Sequence, residues 1–370
     1  MRKLLPVFLG ALALGFHAPA RAQNPVSPEI AGNQVSFRFY APKAREVSLQ
    51  GLRGRKSLPM TKDATGLWQI TVGDLAPDIY SYSFDVDGAT ALDPRNRSFK
   101  KWILTSSSFD YPGAARPDWS LQQVPHGIVH RHLYSSKAAQ REGAFQVYTP
   151  PGYDSRAAVK YPVVFLFHGY GDDETAWVEE GRANCIADNL LAKGSIQPAL
   201  IVMMNGHPLP IPTARQDQYG ANNNAAMEMA VMKEVLPQVE AAYCVSREAS
   251  DRAIVGLSMG GGHALEIGLG HPEIFQWVGA FSAATPEGDL AVRFPQLVAA
   301  AKLGSPKLLW IGIGKDDFLL KRNEAFTASL KAKDIPFTWS LTQGGHEWFV
   351  WRAYLAEFLQ KIFRPAAAAK

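Results

Sequence analysis

Along residues 26–110, apolar and polar side chains alternate with a period of two. The stretches "QVSFRFYAP", "REVSLQG", "GLWQITVGDL" and "IYSYSFDVDG" all do so, and Gly, Pro and Asp interrupt them at short intervals. Alternation turns one face inward and the other to water. Short strands with frequent turns therefore predict a small all-β, immunoglobulin-like sandwich. After "DYPGAARPDW" (residues 110–119), which reads as a Pro/Gly-rich linker, the pattern changes. "GIVHRHLYSS" and "GAFQVYTPPGY" read as edge strands. "YPVVFLFHGYG", "PALIVMMN", "RAIVGLS", "WVGAFSAA" and "KLLWIGIGKDD" are continuous apolar runs, as in strands buried on both faces. Helical stretches at 174–193, 222–243, 260–270, 322–333 and 347–363 separate them. Strands alternating with helices predict a doubly wound, mainly parallel α/β sheet. The expected organisation is a sandwich over residues 23–112 and an α/β domain over 118–370.

The first 22 residues follow a different logic. Arg2 and Lys3 precede the apolar "LLPVFLGALALGF", and Ala20-Arg21-Ala22 supplies small residues at a cleavage position. This order predicts a secretory signal peptide cut after Ala22, and hence a secreted or periplasmic protein. The apolar run is shorter than the ~20 residues of a membrane span. No later segment reads as one.

Net charge and cysteine count each narrow the possibilities. The formal charge of +4 includes Arg2, Lys3 and Arg21. Without residues 1–22 it is +1, from 35 basic against 34 acidic residues. A nearly neutral protein carries no electrostatic footprint for nucleic acid. Two cysteines, Cys185 and Cys244, are too few for a disulfide framework, and one bridge or two buried thiols both fit. No metal-ligand spacing is present.

The candidate chemistry lies at the carboxyl ends of the apolar runs, where open α/β sheets bind ligands. Gly256-Leu257-Ser258-Met259-Gly260 is G-x-S-x-G, placed after the strand "AIV" and before the helix "GGHALEIGLG". That context fits a nucleophile elbow as in α/β-hydrolases. A helix cap would be the bland alternative. A serine hydroxyl needs a base to take its proton, and in this fold the partners follow in the order Ser, acid, His. Downstream of Ser258 stand His263, His271 and His346. His263 lies on the elbow helix and His271 in the turn "GHPEIF". His346, flanked by glycines between "FTWSL" and the last helix, is the best-placed base. Asp316 and Asp317 end the preceding strand, and spacing does not choose between them. The oxyanion hole would use the amide of Met259 and one from "FLFHGYGDD", Tyr170 first and Gly169 second. His168 precedes the serine and reads as structural. The chemistry requires neither cofactor nor metal.

With these residues placed, the chain resembles the carbohydrate esterase family 1 group of the esterase D type, which includes feruloyl esterases, acetylxylan esterases and relatives of enterochelin esterase. The resemblance covers about residues 120–363 and rests on "VYTPPGY", "FLFHGYGDDETAW", "DNLLAKG", "GLSMGGGHALEIGLGHPEIF", "GIGKDDFLL" and "GGHEWFVW". That family's G-x-x-D pattern corresponds to Gly314-Lys315-Asp316-Asp317 and favours Asp317. The segment "GLWQITVGDLAPDIYSYSFDVDGATALDP" resembles starch-binding-type (CBM48-like, early-set) sandwich modules. Such a module implies a packing or positioning domain more than a carbohydrate platform. Trp68, Tyr80, Tyr82 and Trp102 would supply a sugar-stacking face, although alternating aromatics usually fill a core. The long polar insertion "NGHPLPIPTARQDQYGANNNAAM" (205–227) is expected to line the acyl or sugar pocket, with Asn205, Trp177 and Trp348 as candidate substrate contacts. The resemblance implies a secreted serine esterase that removes feruloyl or acetyl groups from plant cell-wall polysaccharide or oligosaccharide. The alternatives are a siderophore esterase, a sugar acyltransferase of the same fold, or a carbohydrate-binding protein without activity.

Overall fold

The computed structural model describes residues 26–101, 103, 105–113, 117–213 and 218–363. The expected signal peptide and Trp102 lie outside the described residues. Residues 29–111 form two facing antiparallel sheets. One has the order Glu29–Ala31, Gln34–Tyr40, Leu67–Gly73, Thr61–Lys62. The other runs Leu58–Pro59, Val47–Gln50, Asp78–Val86, Ser106–Tyr111, Phe99–Lys100. The inward positions interdigitate as an aromatic core: Phe37 packs edge-on against Tyr82 and Phe109 at ring distances of 4.9 and 5.6 Å. Trp68 and Tyr82 are buried there, with Trp68 Nε1 donating to Ala41 O and Tyr82 Oη to Asp93. They do not form an exposed sugar-stacking face.

The rest of the chain builds one eight-stranded sheet. Its order is Ile128–Ser136, Arg141–Thr149, Leu200–Met204, Val163–Phe167, Arg252–Leu257, Trp277–Phe281, Leu308–Gly314, Thr338–Thr342. The first two strands form an antiparallel hairpin on the edge, and Leu200–Met204 onward is parallel. Val163–Phe167 and Leu200–Met204 are buried throughout, as their unbroken apolar runs require. Two cores result, one per face. Met227, Leu265, Phe294 and Phe326 fill one, while Ile186, Trp177, Tyr354 and Phe358 fill the other. This is an α/β-hydrolase sheet preceded by an all-β sandwich. Among the described residues, no helix is long and apolar enough to cross a membrane, and Cys185 and Cys244 are buried free thiols.

Helix boundaries differ from the sequence pattern where the backbone is interrupted. The stretch 174–193 is two helices, Ala176–Glu179 and Ala183–Ala192, because Arg182 takes a left-handed conformation at φ 55°. The stretch 222–243 is Tyr219–Met229, one π-helical turn Ala230–Val235, and Leu236–Ala242. Pro237 has no amide to donate to the carbonyl four residues back, so the ladder is already broken there. Two helices, Leu290–Arg293 and Pro295–Lys302, did not emerge from the apolar pattern.

Candidate active site

Ser258 follows the strand Arg252–Leu257 and precedes the helix Met259–Gly270. Its backbone sits at φ 53°, ψ −116°, a costly conformation for a residue with a side chain. Neighbouring strands hold it there. Ser258 N donates to Phe281 O at 2.8 Å, and Ser258 O accepts from Ala284 N at 2.9 Å and Gly262 N at 3.1 Å. The flanking glycines make the turn possible. A Cβ on Gly256 would lie 2.4 Å from Gly260 O, and one on Gly260 would lie 2.3 Å from His168 O.

The hydroxyl is lifted toward His346, with Oγ 2.9 Å from Nε2. On the other side of that ring, Nδ1 meets Asp317 Oδ2 at 2.9 Å and Oδ1 at 3.2 Å. Burial pushes the Asp317 carboxyl up. Hydrogen bonds from His346, Leu319 N and the Ser282 hydroxyl more than offset it, and the group lies below the usual carboxylate range. Asp317 is therefore a buried anion aimed at the imidazole. Asp316 points to solvent, and the structure does not bring it to His346. The imidazole is boxed in by Phe318 at 4.5 Å and by the edge of Trp351 at 4.9 Å. Trp351 Nε1 donates to Ser282 Oγ at 3.0 Å. Ser282 thus supports both the carboxylate and the aromatic wall. Nothing in "AFSAAT" singled it out, since its role depends on three separate strands and helices.

Met259 is the first residue of its helix, so its amide has no intrahelical acceptor. Gly169 lies against the same turn: a Cβ there would come within 3.3 Å of Ser258 Cβ and 2.7 Å of Leu257 Cδ1. The absence of a side chain lets the loop carrying Tyr170 approach the serine. Three buried histidines fix this loop. His168 Nε2 accepts from Gly206 N at 2.7 Å, His207 Nε2 accepts from Gly171 N at 3.1 Å, and His263 Nε2 donates to Gly206 O at 3.1 Å. Burial holds all three below the ordinary histidine range, His207 at about 3 and His263 at about 4. They are neutral hydrogen-bonding struts. His271 is remote, bridging Glu228 and Glu273 on the surface.

A cavity of about 540 Å³ opens over Ser258 and His346. Phe318, Trp348, Phe349 and Tyr170 supply aromatic wall from the α/β part, and Gly51, Arg53, Tyr80 and Lys100 come from the sandwich. The sandwich grips both loops that carry the site. Lys100 pairs with Asp172 at 2.7 Å, beside Tyr170, and Arg53 reaches Glu347 at 3.8 Å, beside His346. Arg53 also lies over the Phe349 ring at 4.3 Å.

The three expected substrate contacts separate. Trp348 lines this cavity. Trp177 does not: it is 1% exposed, donates Nε1 to Phe167 O and packs edge-on beneath Trp348 at 5.1 Å. It belongs to the core on that face of the sheet. Asn205 faces a different cavity, on the far side of the loop at 169–174. The start of the 205–227 insertion is drawn under that loop by the histidine struts, so it does not wall the cavity over Ser258. No cluster of metal-ligating side chains occurs among the described residues.

Residues 136–362 match the family model described as "Putative esterase", and residues 14–102 match "Carbohydrate-binding module 48 (Isoamylase N-terminal domain)". The chain is 28% identical over 337 residues to an "Endo-1,4-beta-xylanase/feruloyl esterase" of Xylanibacter ruminicola, covering 89% of this chain and 44% of that protein. It is 24% identical over 275 residues to the "Iron(III) enterobactin esterase" of Escherichia coli, covering 70% of this chain and 63% of that one. The chain thus spans less than two thirds of the length of these curated relatives. Among solved structures, a ferulic acid esterase of Anaeromyces mucronatus superposes with a TM-score of 0.58 at 22% identity, over 66% of this chain and 93% of the other. An enterochelin esterase from Shigella flexneri superposes with a TM-score of 0.65 at 20% identity, over 90% and 93%.

Proposed function

The chain belongs to the Esterase family, and from that premise we propose that it is a carboxylic ester hydrolase that removes feruloyl groups from plant cell-wall xylan or its oligosaccharides. The single observation that carries this reading is the hydrogen-bonded chain Asp317–His346–Ser258 opening into an aromatic-walled cavity.

In the proposed reaction His346 Nε2 takes the proton from Ser258 Oγ as that oxygen attacks the ester carbonyl carbon. Asp317 accepts from Nδ1–H and stabilises the imidazolium. The amides of Met259 and Tyr170 hold the oxyanion. When the tetrahedral centre collapses, the C–O bond to the sugar breaks and His346 returns the proton to the departing sugar oxygen. Water then attacks the feruloyl-serine, giving its proton to His346. The acid leaves as Ser258 regains its hydrogen.

The acyl preference follows from the walls. A cavity of about 540 Å³ faced by Phe318, Trp348 and Phe349 suits a flat aromatic acid. An acetyl group would leave most of that surface wet. The same cavity carries Asp78, Asp172, Glu180 and Glu347 against Arg53, Lys100 and Arg352. Four carboxylates against three cations do not favour a multiply anionic ferric catecholate. Export is part of the proposal, resting on the basic, apolar, small-residue order of residues 1–22.

Steady-state hydrolysis of methyl ferulate, acetylated xylan and a catecholate siderophore ester tests the reading. Methyl ferulate is expected to be cleaved best, and Ser258→Ala to lose several orders of magnitude in kcat. A preference for acetylated xylan or the siderophore ester would replace the feruloyl reading.

A further inference from the structure

A second cavity, of about 420 Å³, lies across the loop at 169–174 from the first. The loop is a shared wall: Gly169, Tyr170 and Asp172 line the first cavity, while Asp173 and Glu174 line the second. That space is polar. Arg131, Arg141, Glu174 and Asn205 line it, with the Tyr134 ring at one side.

Glu174 is the informative group. It is only 6% exposed, yet its two hydrogen bonds among the described residues are long: Arg131 Nη2 at 3.3 Å and Asn205 Nδ2 at 3.4 Å. Carboxylates normally draw donors to about 2.7–2.9 Å. Asp188, equally buried in the same chain, does so with Tyr148 Oη at 2.6 Å, Gly127 N at 2.9 Å and His126 Nδ1 at 2.9 Å. The Glu174 carboxylate is therefore short of donors and faces a cavity of molecular size. The cations nearby are engaged, Arg131 by Glu174 and Arg141 by His207 O. With Glu142, Asp173 and Glu174 in the lining, an anion gains little there. What fits is a neutral ligand rich in hydroxyl donors.

The ridge between the cavities is topped by Tyr170, which is 47% exposed and stands edge-on over His207 at 5.3 Å. An exposed ring at this height offers a stacking face to a sugar crossing from one cavity to the other. We propose that the second cavity is a sugar subsite, in which Glu174, Asn205 and Arg131 bind hydroxyl groups of the polysaccharide chain whose ester lies on Ser258. The inference rests on the feruloyl-polysaccharide reading only for the identity of the sugar.

Two measurements test it. Kinetics of wild type, Glu174→Gln and Arg131→Ala are compared on a feruloylated arabinoxylo-oligosaccharide and on methyl ferulate, which has no sugar to reach the cavity. On the oligosaccharide KM rises roughly tenfold or more with kcat kept, as expected for losing hydrogen bonds to a charged group, while methyl ferulate turnover is unaltered. Equal loss on both substrates, or none on either, overturns the subsite. Calorimetric titration of the Ser258→Ala protein with unesterified xylohexaose reads binding without turnover. Binding that Glu174→Gln abolishes supports the subsite even if ferulate esters prove not to be substrates. No binding, or binding that Glu174→Gln leaves intact, refutes it.

Discussion

Asp78 of the sandwich and Arg352 of the last helix form an ion pair at 2.7 Å, with their side chains 3% and 1% exposed. Arg352 also donates to Glu180 O at 3.0 Å, and Arg53 approaches Asp78 at 3.1 Å from the other side. Burial pushes the Asp78 carboxyl up while Arg352 and Arg53 pull it down. The pair joins the two parts of the chain through the helix that follows His346. The sandwich thus contributes to the frame of the site as well as to its wall.

Breaking that pair is costly because one charge is left buried without its partner. Asp78→Asn is expected to destabilise the protein by about 3–5 kcal/mol. Chemical denaturation of wild type and variant checks this. A difference within about 0.5 kcal/mol, the range of ordinary surface substitutions, would show that the pair is dispensable.

The two adjacent aspartates should differ sharply in kinetics. Asp317→Asn removes the anion that orients His346 and is expected to lower kcat by roughly four orders of magnitude. Asp316→Asn, at an exposed position, should leave it near wild type. Comparable losses in both variants would show that the carboxylate facing His346 is not the orienting group.

Phe318 is 75% exposed and lies against the His346 ring. An exposed phenyl group at the mouth of the cavity is expected to cover the aromatic acid. Phe318→Ala should raise KM for methyl ferulate several-fold, in line with ~0.5–1.5 kcal/mol for an aromatic pair, with little change for p-nitrophenyl acetate. An equal effect on both esters would assign Phe318 to holding His346 instead.

The histidine struts give the protein an acid limit. His207 and His263 lie at about 3 and about 4 in the folded state, depressed chiefly by burial, against about 6.5 in an unfolded chain. The unfolded state therefore binds more protons between those values. The stability they contribute is complete above about pH 6.5 and is lost as pH falls toward 4. His263→Gln retains a donor for Gly206 O but cannot take the proton. The fall in unfolding free energy between pH 6.5 and 4 should be shallower by about one proton in this variant. An unchanged slope would contradict a buried neutral His263.

The elbow was legible because its constraints are local: two glycines, a strand before and a helix after. His346 was legible because few downstream histidines exist and glycines surround it. Asp316 and Asp317 were not separable, since neighbours on one turn face opposite ways and only burial distinguishes them. Trp177 and Trp348 look alike in sequence, and which of the two is covered follows from a contact between them across 171 residues, Trp177 packing beneath Trp348. The displacement of Asn205 to a second cavity depends on His168 and His263 holding Gly206 and on His207 holding Gly171, contacts spanning nearly a hundred residues. The sandwich aromatics obeyed alternation, but the placing of Tyr80 in the wall of the cavity that holds Ser258 needed the docking of the sandwich on the α/β sheet.

In the proposed reaction Ser258 is the nucleophile that carries the acyl group. Intact-mass analysis after treatment with an aryl fluorophosphonate tests it most directly, because the reagent forms a stable adduct only with an activated serine. One adduct per chain is expected, mapped to the peptide containing Ser258, suppressed by His346→Ala and absent from Ser258→Ala. An active protein that stays unlabelled, or that carries its adduct on another residue, would contradict it.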